Sequence, residues 1–269
     1  MPSAILRKAW QGKWAVVTGA SAGIGEAIAV ELAEAGLNLV LTARRRERLE
    51  LLAERLRSKY SIQTRVVVAD LSLPQSPQQI FDATEGGGMQ VDVLINNAGF
   101  GEYGEFLRSR VEMQLDMVQV NCTAVVHLSR LFLPAMAGRR QGAMMIVAST
   151  ASYQPVPYLA TYGATKAFDR MLAEALAEEM KRHGVRVSAL CPGPTESEFT
   201  QVSGSRRRDW RKAQSAVLVA RLGLEALARG KHSVIPYLGG RLQVFAQRFM
   251  PRTMVTSAVE RLLRPATLK

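Results

Sequence analysis

Cysteine is scarce in this chain, with only Cys122 and Cys191 among 269 residues, far apart and in no CxxC pair. That excludes a disulfide framework, and with three histidines, none at ligand spacing from a cysteine, it excludes a zinc site as well. Long hydrophobic runs are missing too. No stretch reaches the roughly 18 consecutive apolar residues of a membrane span, and the opening MPSAILRKAW has no apolar core of signal-peptide type. Both point to a cytoplasmic chain, soluble or peripheral to a membrane. Acid is short relative to base, giving a net charge of +12. Such a charge attracts polyanions, but the basic residues are scattered apart from Arg44 to Arg46 and Arg206 to Arg208, and no nucleic-acid-binding motif accompanies them. No nucleic-acid partner is expected.

What is present is the composition of a folded globular chain, 48% hydrophobic and 22% charged, of a length suited to one α/β domain over 1–269. Short apolar runs alternate with longer amphipathic stretches: WAVVTG before 24–36, LNLVLTA before 45–59, TRVVVAD before 76–87, and VDVLINNAG before a long helical stretch to 137. AMMIVAS, VRVSALCP and HSVIPY follow, with helical stretches at 159–182 and 213–229. Near-continuous Val/Ile/Leu runs are the mark of parallel strands buried on both faces. The pattern predicts a Rossmann-type doubly wound sheet of about seven parallel strands with helices on both faces.

The first strand runs into Thr18-Gly19-Ala20-Ser21-Ala22-Gly23-Ile24-Gly25, where a helical pattern begins. Glycines between a strand and a helix let the backbone approach a pyrophosphate, whose charge the free N–H groups of the helix N-terminus stabilise. After the second strand stands Thr42-Ala43-Arg44-Arg45-Arg46, with no acid to repel a ribose 2′-phosphate. Arg44 can grip phosphate oxygens in a fork, assisted by Arg45 or Ser21, so NADP(H) is the expected cofactor. Tyr162 and Lys166 lie four apart in a helical stretch and so share one face. An ammonium beside a phenol favours the phenolate, which suits a general acid or base near neutral pH.

Several motifs in this order resemble the short-chain dehydrogenase/reductase family, from about Lys13 to Gly193. They are TGASAGIG, Asp70 after the third strand, Asn96-Asn97-Ala98-Gly99 after the fourth, Asn121, Ser149, Tyr162-Gly163-Ala164-Thr165-Lys166, and Pro192-Gly193. The resemblance implies a hydride-transferring oxidoreductase acting on a small carbonyl or alcohol substrate, with Asn121, Ser149, Tyr162 and Lys166 catalytic. Ser149 would bind the substrate oxygen, Lys166 the nicotinamide ribose, and Asn121 a water of the proton relay. Gly19, Gly23, Ile24, Gly25, Asp70, Leu71, Asn97, Ala98, Gly99, Pro192, Gly193 and Thr195 would line the cofactor. The family also implies a homo-oligomer, a dimer or a tetramer.

Two regions bear on substrate and partners. The Ser/Arg/Glu-rich segment 194–212 follows a strand's carboxyl end and is a candidate substrate loop, and FGEYGEF at 100–106 with Phe199 and Trp210 could form an apolar pocket mouth, as for a 3-oxoacyl-type substrate. The stretch 237–269 carries six basic residues and one acid, with Leu242, Phe245 and Phe249 on one helical face and Val255, Val259, Leu262 and Leu263 on another. It resembles the tail of a reductase subgroup in this family with lipid-like substrates. An amphipathic basic extension of this kind can lie on a membrane, or pack on its own domain or a sister subunit. A non-catalytic NADP(H) sensor and a membrane-peripheral scaffold are the readings outside oxidoreduction.

Overall fold

The computed structural model describes residues 4–199, 203–204 and 213–265. Its centre is a sheet of seven parallel strands, β1 (Trp14–Thr18), β2 (Asn38–Ala43), β3 (Thr64–Val68), β4 (Val91–Asn96), β5 (Gly142–Val147), β6 (Val185–Leu190) and β7 (Ser233–Val234). Their order is β3-β2-β1-β4-β5-β6-β7, so the direction of winding reverses between β1 and β4. Such a reversal opens a crevice at the carboxyl ends of the strands, because the connections on its two sides leave toward opposite faces.

Period-two alternation divides the strand residues between two cores. On one face Ala15, Val17, Leu39, Leu41, Met145 and Leu190 meet α1 (Ala4–Trp10), α2 (Gly23–Glu34), α3 (Arg46–Tyr60) and α8 (Ala216–Ala228). On the other, Val16, Val40, Leu94, Met144, Ile146 and Ala189 meet α4 (Ser76–Asp82), α6 (Ala124–Gly138) and α7 (Ala160–Lys181). The doubly wound α/β sheet expected from the sequence is therefore the observed one.

Three local departures have physical reasons. The helix expected over 76–87 ends at Asp82, because three consecutive glycines, Gly86 to Gly88, favour a short three-ten turn and a left-handed Gly88. The long stretch to 137 is two helices, α5 (Val111–Val118) and α6, joined by a π turn at Gln119–Thr123 that inserts an extra residue and turns Asn121 inward. By length and apolarity Val111–Gly138 could cross a membrane, yet half of that window is buried in the fold, as in a core helix. The last strand keeps two residues of HSVIPY, since Pro236 has no N–H to continue the ladder.

The helix α1 was not foreseen from its sequence. It docks through Leu6 and Trp10, both buried, with the Arg186 guanidinium 5.6 Å from the Trp10 ring centre. Replacing Trp10 by alanine should lower unfolding free energy by about 3–5 kcal/mol in a denaturant titration. A loss below about 1 kcal/mol would mean that α1 is not part of the cooperative core.

Candidate active site

The carboxyl ends of β1 and β4 are joined by one threonine. Thr18 Oγ1 donates to the Ile95 carbonyl (3.2 Å) and accepts from the N–H groups of Asn97 (2.9 Å) and Ala98 (3.0 Å). The Asn97 side chain returns the link, donating to the carbonyls of Thr18 (2.8 Å) and Gly19 (3.3 Å). Asn97 thus holds the glycine-rich turn itself. Gly19 and Gly23 adopt φ of +65° and +58°, which suits glycine, and a Cβ on Gly25 would lie 2.3 Å from the Gly19 carbonyl oxygen. The twelve-residue helix α2 that follows has no side-chain cap at Ala22, and its first residues, Gly23, Ile24 and Gly25, line the crevice.

A cavity of about 970 Å³ runs from this turn across the sheet. Every residue predicted for the cofactor lines it, as do Ser149, Tyr162 and Lys166. At the far end its walls are apolar, with Phe100, Tyr103, Leu159, Phe199, Val259 and Leu262. A dinucleotide fits this donor set: an uncapped helix N-terminus for the pyrophosphate, glycines that leave the backbone clear, and a cation at the end of β2.

The three reactive side chains come from two elements. Ser149 follows β5, its Oγ accepting from the Ala151 N–H (3.1 Å). Tyr162 and Lys166 extend from α7, the Tyr162 ring 5.1 Å from that of Phe199 and close against Gly101, with its hydroxyl unbonded among the described residues. Lys166 is buried and donates to the Val147 carbonyl (2.8 Å) and to Asp169 Oδ2 (2.9 Å). Burial works against its charge, but Asp169 and Tyr162 more than offset that, so its pKa lies above the ordinary lysine value. Cys122 nearby is an inert neighbour, its thiol pushed up to about 12 by burial and by Asp169, against the pull of Lys166.

Asn121, expected to hold a water of the proton relay, sits on the π turn between α5 and α6. Its side chain is fully buried and does not line the cavity; Oδ1 accepts from the Phe100 N–H (3.1 Å), while Nδ2 donates to the Phe100 carbonyl (2.9 Å) and to Thr165 Oγ1 (3.0 Å). The side chain ties the loop after β4 to α7, and the π turn, by its extra residue, carries it behind Gly99.

The cations after β2 are divided. Arg44 is exposed, lines the cavity, and has no polar partner among the described residues. Arg45 is engaged on both sides, donating to Ser21 Oγ (3.0 Å) and pairing with Glu198 Oε2 at 2.7 Å, while Arg48 holds the other oxygen of Glu198. Hydrogen bonds from Arg48 and Arg45 hold the Glu198 carboxyl below its usual range. Glu198 belongs to the candidate substrate loop, of which 200–202 and 205–212, including Trp210, lie outside the described residues. Thr195 donates to the Gly193 carbonyl (2.9 Å), and Asp70 Oδ1 accepts from the backbone and hydroxyl of Ser72, so both are braced by their own loops.

Sequence reasoning missed Asp169, Glu198, Tyr237 and the tail as parts of the site. Tyr237 fits against Gly193, where a Cβ would come within 2.5 Å of its ring. The tail helix α10 (Arg252–Leu263) is fastened by Tyr103, which donates to the Leu263 carbonyl, and by Tyr158, which donates to Glu260, each at 2.6 Å. Of these, only the tail carried a signal, its apolar face at Val259 and Leu263, which is the face lining the cavity.

Comparison with known proteins agrees with this geometry. A family model described as short chain dehydrogenase matches residues 13–208. The very-long-chain 3-oxoacyl-CoA reductase of Bos taurus is 32% identical over 216 residues, covering 78% of this chain and 67% of that protein. Its Danio rerio counterpart B is 36% identical over 204 residues, covering 74% and 64%. The chain therefore spans about two thirds of the length of these relatives. Among solved structures, a short-chain dehydrogenase from Sphingobium yanoikuyae in complex with NADPH superposes with a TM-score of 0.80 at 28% identity, covering 88% of this chain and 93% of that one. One from Burkholderia phymatum in complex with NAD gives 0.79 at 27%, covering 89% and 94%.

Gly25→Ala should weaken dinucleotide binding at least about tenfold and lower stability by about 1–3 kcal/mol, because the new methyl meets the Gly19 carbonyl and the Asn97 amide. Fluorescence titration and chemical unfolding read the two effects. Unchanged binding would show that the turn is not the dinucleotide cradle.

Proposed function

Because the chain belongs to the short-chain dehydrogenase family, as an oxidoreductase of that type, we propose that it uses NADP(H) to reduce the carbonyl of an apolar substrate of 3-oxoacyl type. The observation that carries this reading is the continuity of one cavity from the glycine-rich turn, past Arg44, which has no partner among the described residues, to Ser149, Tyr162 and Lys166 and on to an apolar end wall. A guanidinium with no partner among the described residues, where NAD-selective folds offer a carboxylate, supports a 2′-phosphate ligand. The names of the relatives, which are 3-oxoacyl-CoA reductases, support the substrate class.

The reduced nicotinamide, when bound, supplies the hydride to the carbonyl carbon. Everything else falls to the chain. Ser149 donates a hydrogen bond to the carbonyl oxygen and stabilises its growing negative charge. Tyr162 delivers its hydroxyl proton to that oxygen, completing the alcohol, and regains a proton from solvent. Lys166 would hold the nicotinamide ribose through its remaining N–H, and its charge stabilises the Tyr162 phenolate. The apolar wall excludes water from the reacting carbon and receives the substrate's hydrocarbon part.

Consumption of NADPH should be followed optically with aldehydes, ketones and 3-oxoacyl thioesters, with NADH in parallel. Turnover should be confined to apolar members, favour NADPH, and fall about 10²–10⁴-fold in Tyr162→Phe with NADPH binding nearly intact. Arg44→Ala should raise the KM for NADPH about tenfold or more and leave that for NADH nearly unchanged. Wild-type rates in the Phe variant would overturn the mechanism, and binding with no turnover on any substrate would favour a sensor.

Two exposed apolar faces support the further partners. Val111, Leu115 and Val118 on α5 and Phe168 and Met171 on α7 form one, which supports a homo-oligomer, a dimer or tetramer. Leu238, Leu242 and Phe245 on α9 (Leu238–Gln247), with Phe249 just beyond it, form the other, flanked by Arg241, Arg248 and Arg252. That arginine fringe supports a peripheral contact with an anionic bilayer by a cytoplasmic protein. Glutamates at Leu115 and Met171 should lower the mass found by light scattering to that of one chain, and glutamates at Leu242 and Phe249 should abolish cosedimentation with anionic vesicles. A wild-type chain that is already monomeric, or that pellets with no vesicle, would remove the corresponding partner.

A further inference from the structure

Asp169 is the most deeply buried carboxylate among the described residues, 1% exposed, one turn beyond Lys166 on α7. One of its oxygens accepts from the Lys166 ammonium, while the other, Oδ1, is buried with no partner. Such an atom is unfavourable, and an apolar side chain would fill the same slot without it. A purely structural account of this position therefore has to explain a cost it does not need.

The ammonium it holds is equally enclosed. Lys166 has three N–H donors; Val147 and Asp169 take two, and the remaining one serves the cavity that Lys166 lines. A lysine buried this completely, left without a counter-charge, tends to lose its proton, in the documented extremes down to about pH 5–6. Among the described residues, Asp169 is the carboxylate that pairs with Lys166, and no other carboxylate hydrogen-bonds it. Tyr162 lies on α7 itself, Cys122 on the π turn has its thiol pushed up to about 12, and Asp116 of α5 stands on the cavity wall. Val147, Asn121 and Thr165 contribute uncharged atoms.

We propose that Asp169 is a positioning residue that keeps Lys166 charged and aimed, so that a full positive charge and one free N–H stand beside Tyr162 and the ribose position. The inference rests on the reading of Tyr162 and Lys166 as the reacting pair. The carboxylate acts through the lysine and touches neither substrate nor dinucleotide. Its charge matters more than its shape: asparagine offers the same hydrogen-bonding oxygen but cannot balance the ammonium. Without that balance Lys166 becomes neutral as the pH rises, and the phenolate of Tyr162 loses the charge that stabilises it.

The test compares wild type with Asp169→Asn, using an alcohol product of the reductase assay with NADP⁺ for kinetics, and NADPH alone for binding. In the variant, the pH at half-maximal oxidation should move up by about one unit or more, the size expected when a close charge is removed. NADPH affinity measured by fluorescence should match wild type near about pH 6 and fall about tenfold near pH 9, where the unbalanced lysine has become neutral. Parallel pH profiles in both readouts would overturn the proposal, as would a downward shift, which would mean that Asp169 merely tempers the lysine. If the variant does not fold by thermal unfolding, carbon-labelled lysine NMR of the wild type decides. The resonance absent from Lys166→Arg should stay protonated beyond ordinary lysine titration, and titration below that range would overturn the proposal. Full activity in Tyr162→Phe would instead defeat the underlying reading, which separates the two failures.

Discussion

A single hydroxyl organises the crevice on which the chemistry depends. Thr18 Oγ1 lies between β1 and β4, the two strands at which the sheet reverses its winding, and bonds to one backbone group within the end of β4 and two just beyond it. Both strands end in backbone that must leave the sheet, so its polar groups need new partners. Thr18 and Asn97 supply them to each other's segments, and this is what keeps the glycine-rich turn open and at a fixed height above the sheet. The apolar cores on the two faces hold the strands; the Thr18–Asn97 exchange shapes the mouth between them.

Charge in the site is arranged by depth. At the solvent edge Arg45 and Arg48 neutralise Glu198, and Arg44 is left to meet an anion. Exposed pairs of this kind are individually weak, and their effect lies in which cation remains available. Deep in the fold the Lys166 and Asp169 pair is almost dry, where burial raises the pKa of Asp169 and Lys166 only partly offsets it. There the same pairing controls whether an ammonium exists at all. The apolar end of the cavity completes the sequence, closed in part by the tail helix α10 through tyrosine hydrogen bonds from two separate loops.

The doubly wound sheet and most of the site were legible in the sequence because they depend on local regularities. Val/Ile/Leu runs report strands buried on both faces, glycines between strand and helix report close backbone approach, and a four-residue spacing on a helix reports a shared face. From these come the strand order's general class, the glycine-rich turn, Arg44 as a cation with no acid beside it in sequence, and the shared face of Tyr162 and Lys166, while Ser149, which lines the same cavity, came from the family resemblance. The docking of α1 was not legible, because seven residues are too few to show a period and Trp10 alone does not say which surface will bury it.

Other assignments belong to tertiary structure for reasons of the same kind. The environment of Asn121 was not legible, because a π turn adds one position and seats its side chain behind Gly99, which a regular helical period cannot anticipate. Glu198 stands about 150 residues from the arginines it binds, and nothing local links them. The contact between Asp169 and Lys166 was within reach of helical spacing, but their burial was not: only the packing of α7 against β5 and the π turn removes water from the pair and makes its charge balance matter. The sequence by itself determined which chemical groups this protein has and on which element each is carried. The tertiary structure decided which of them meet, which stay free, and which are dry, because distance and solvent exclusion are properties of the packed chain.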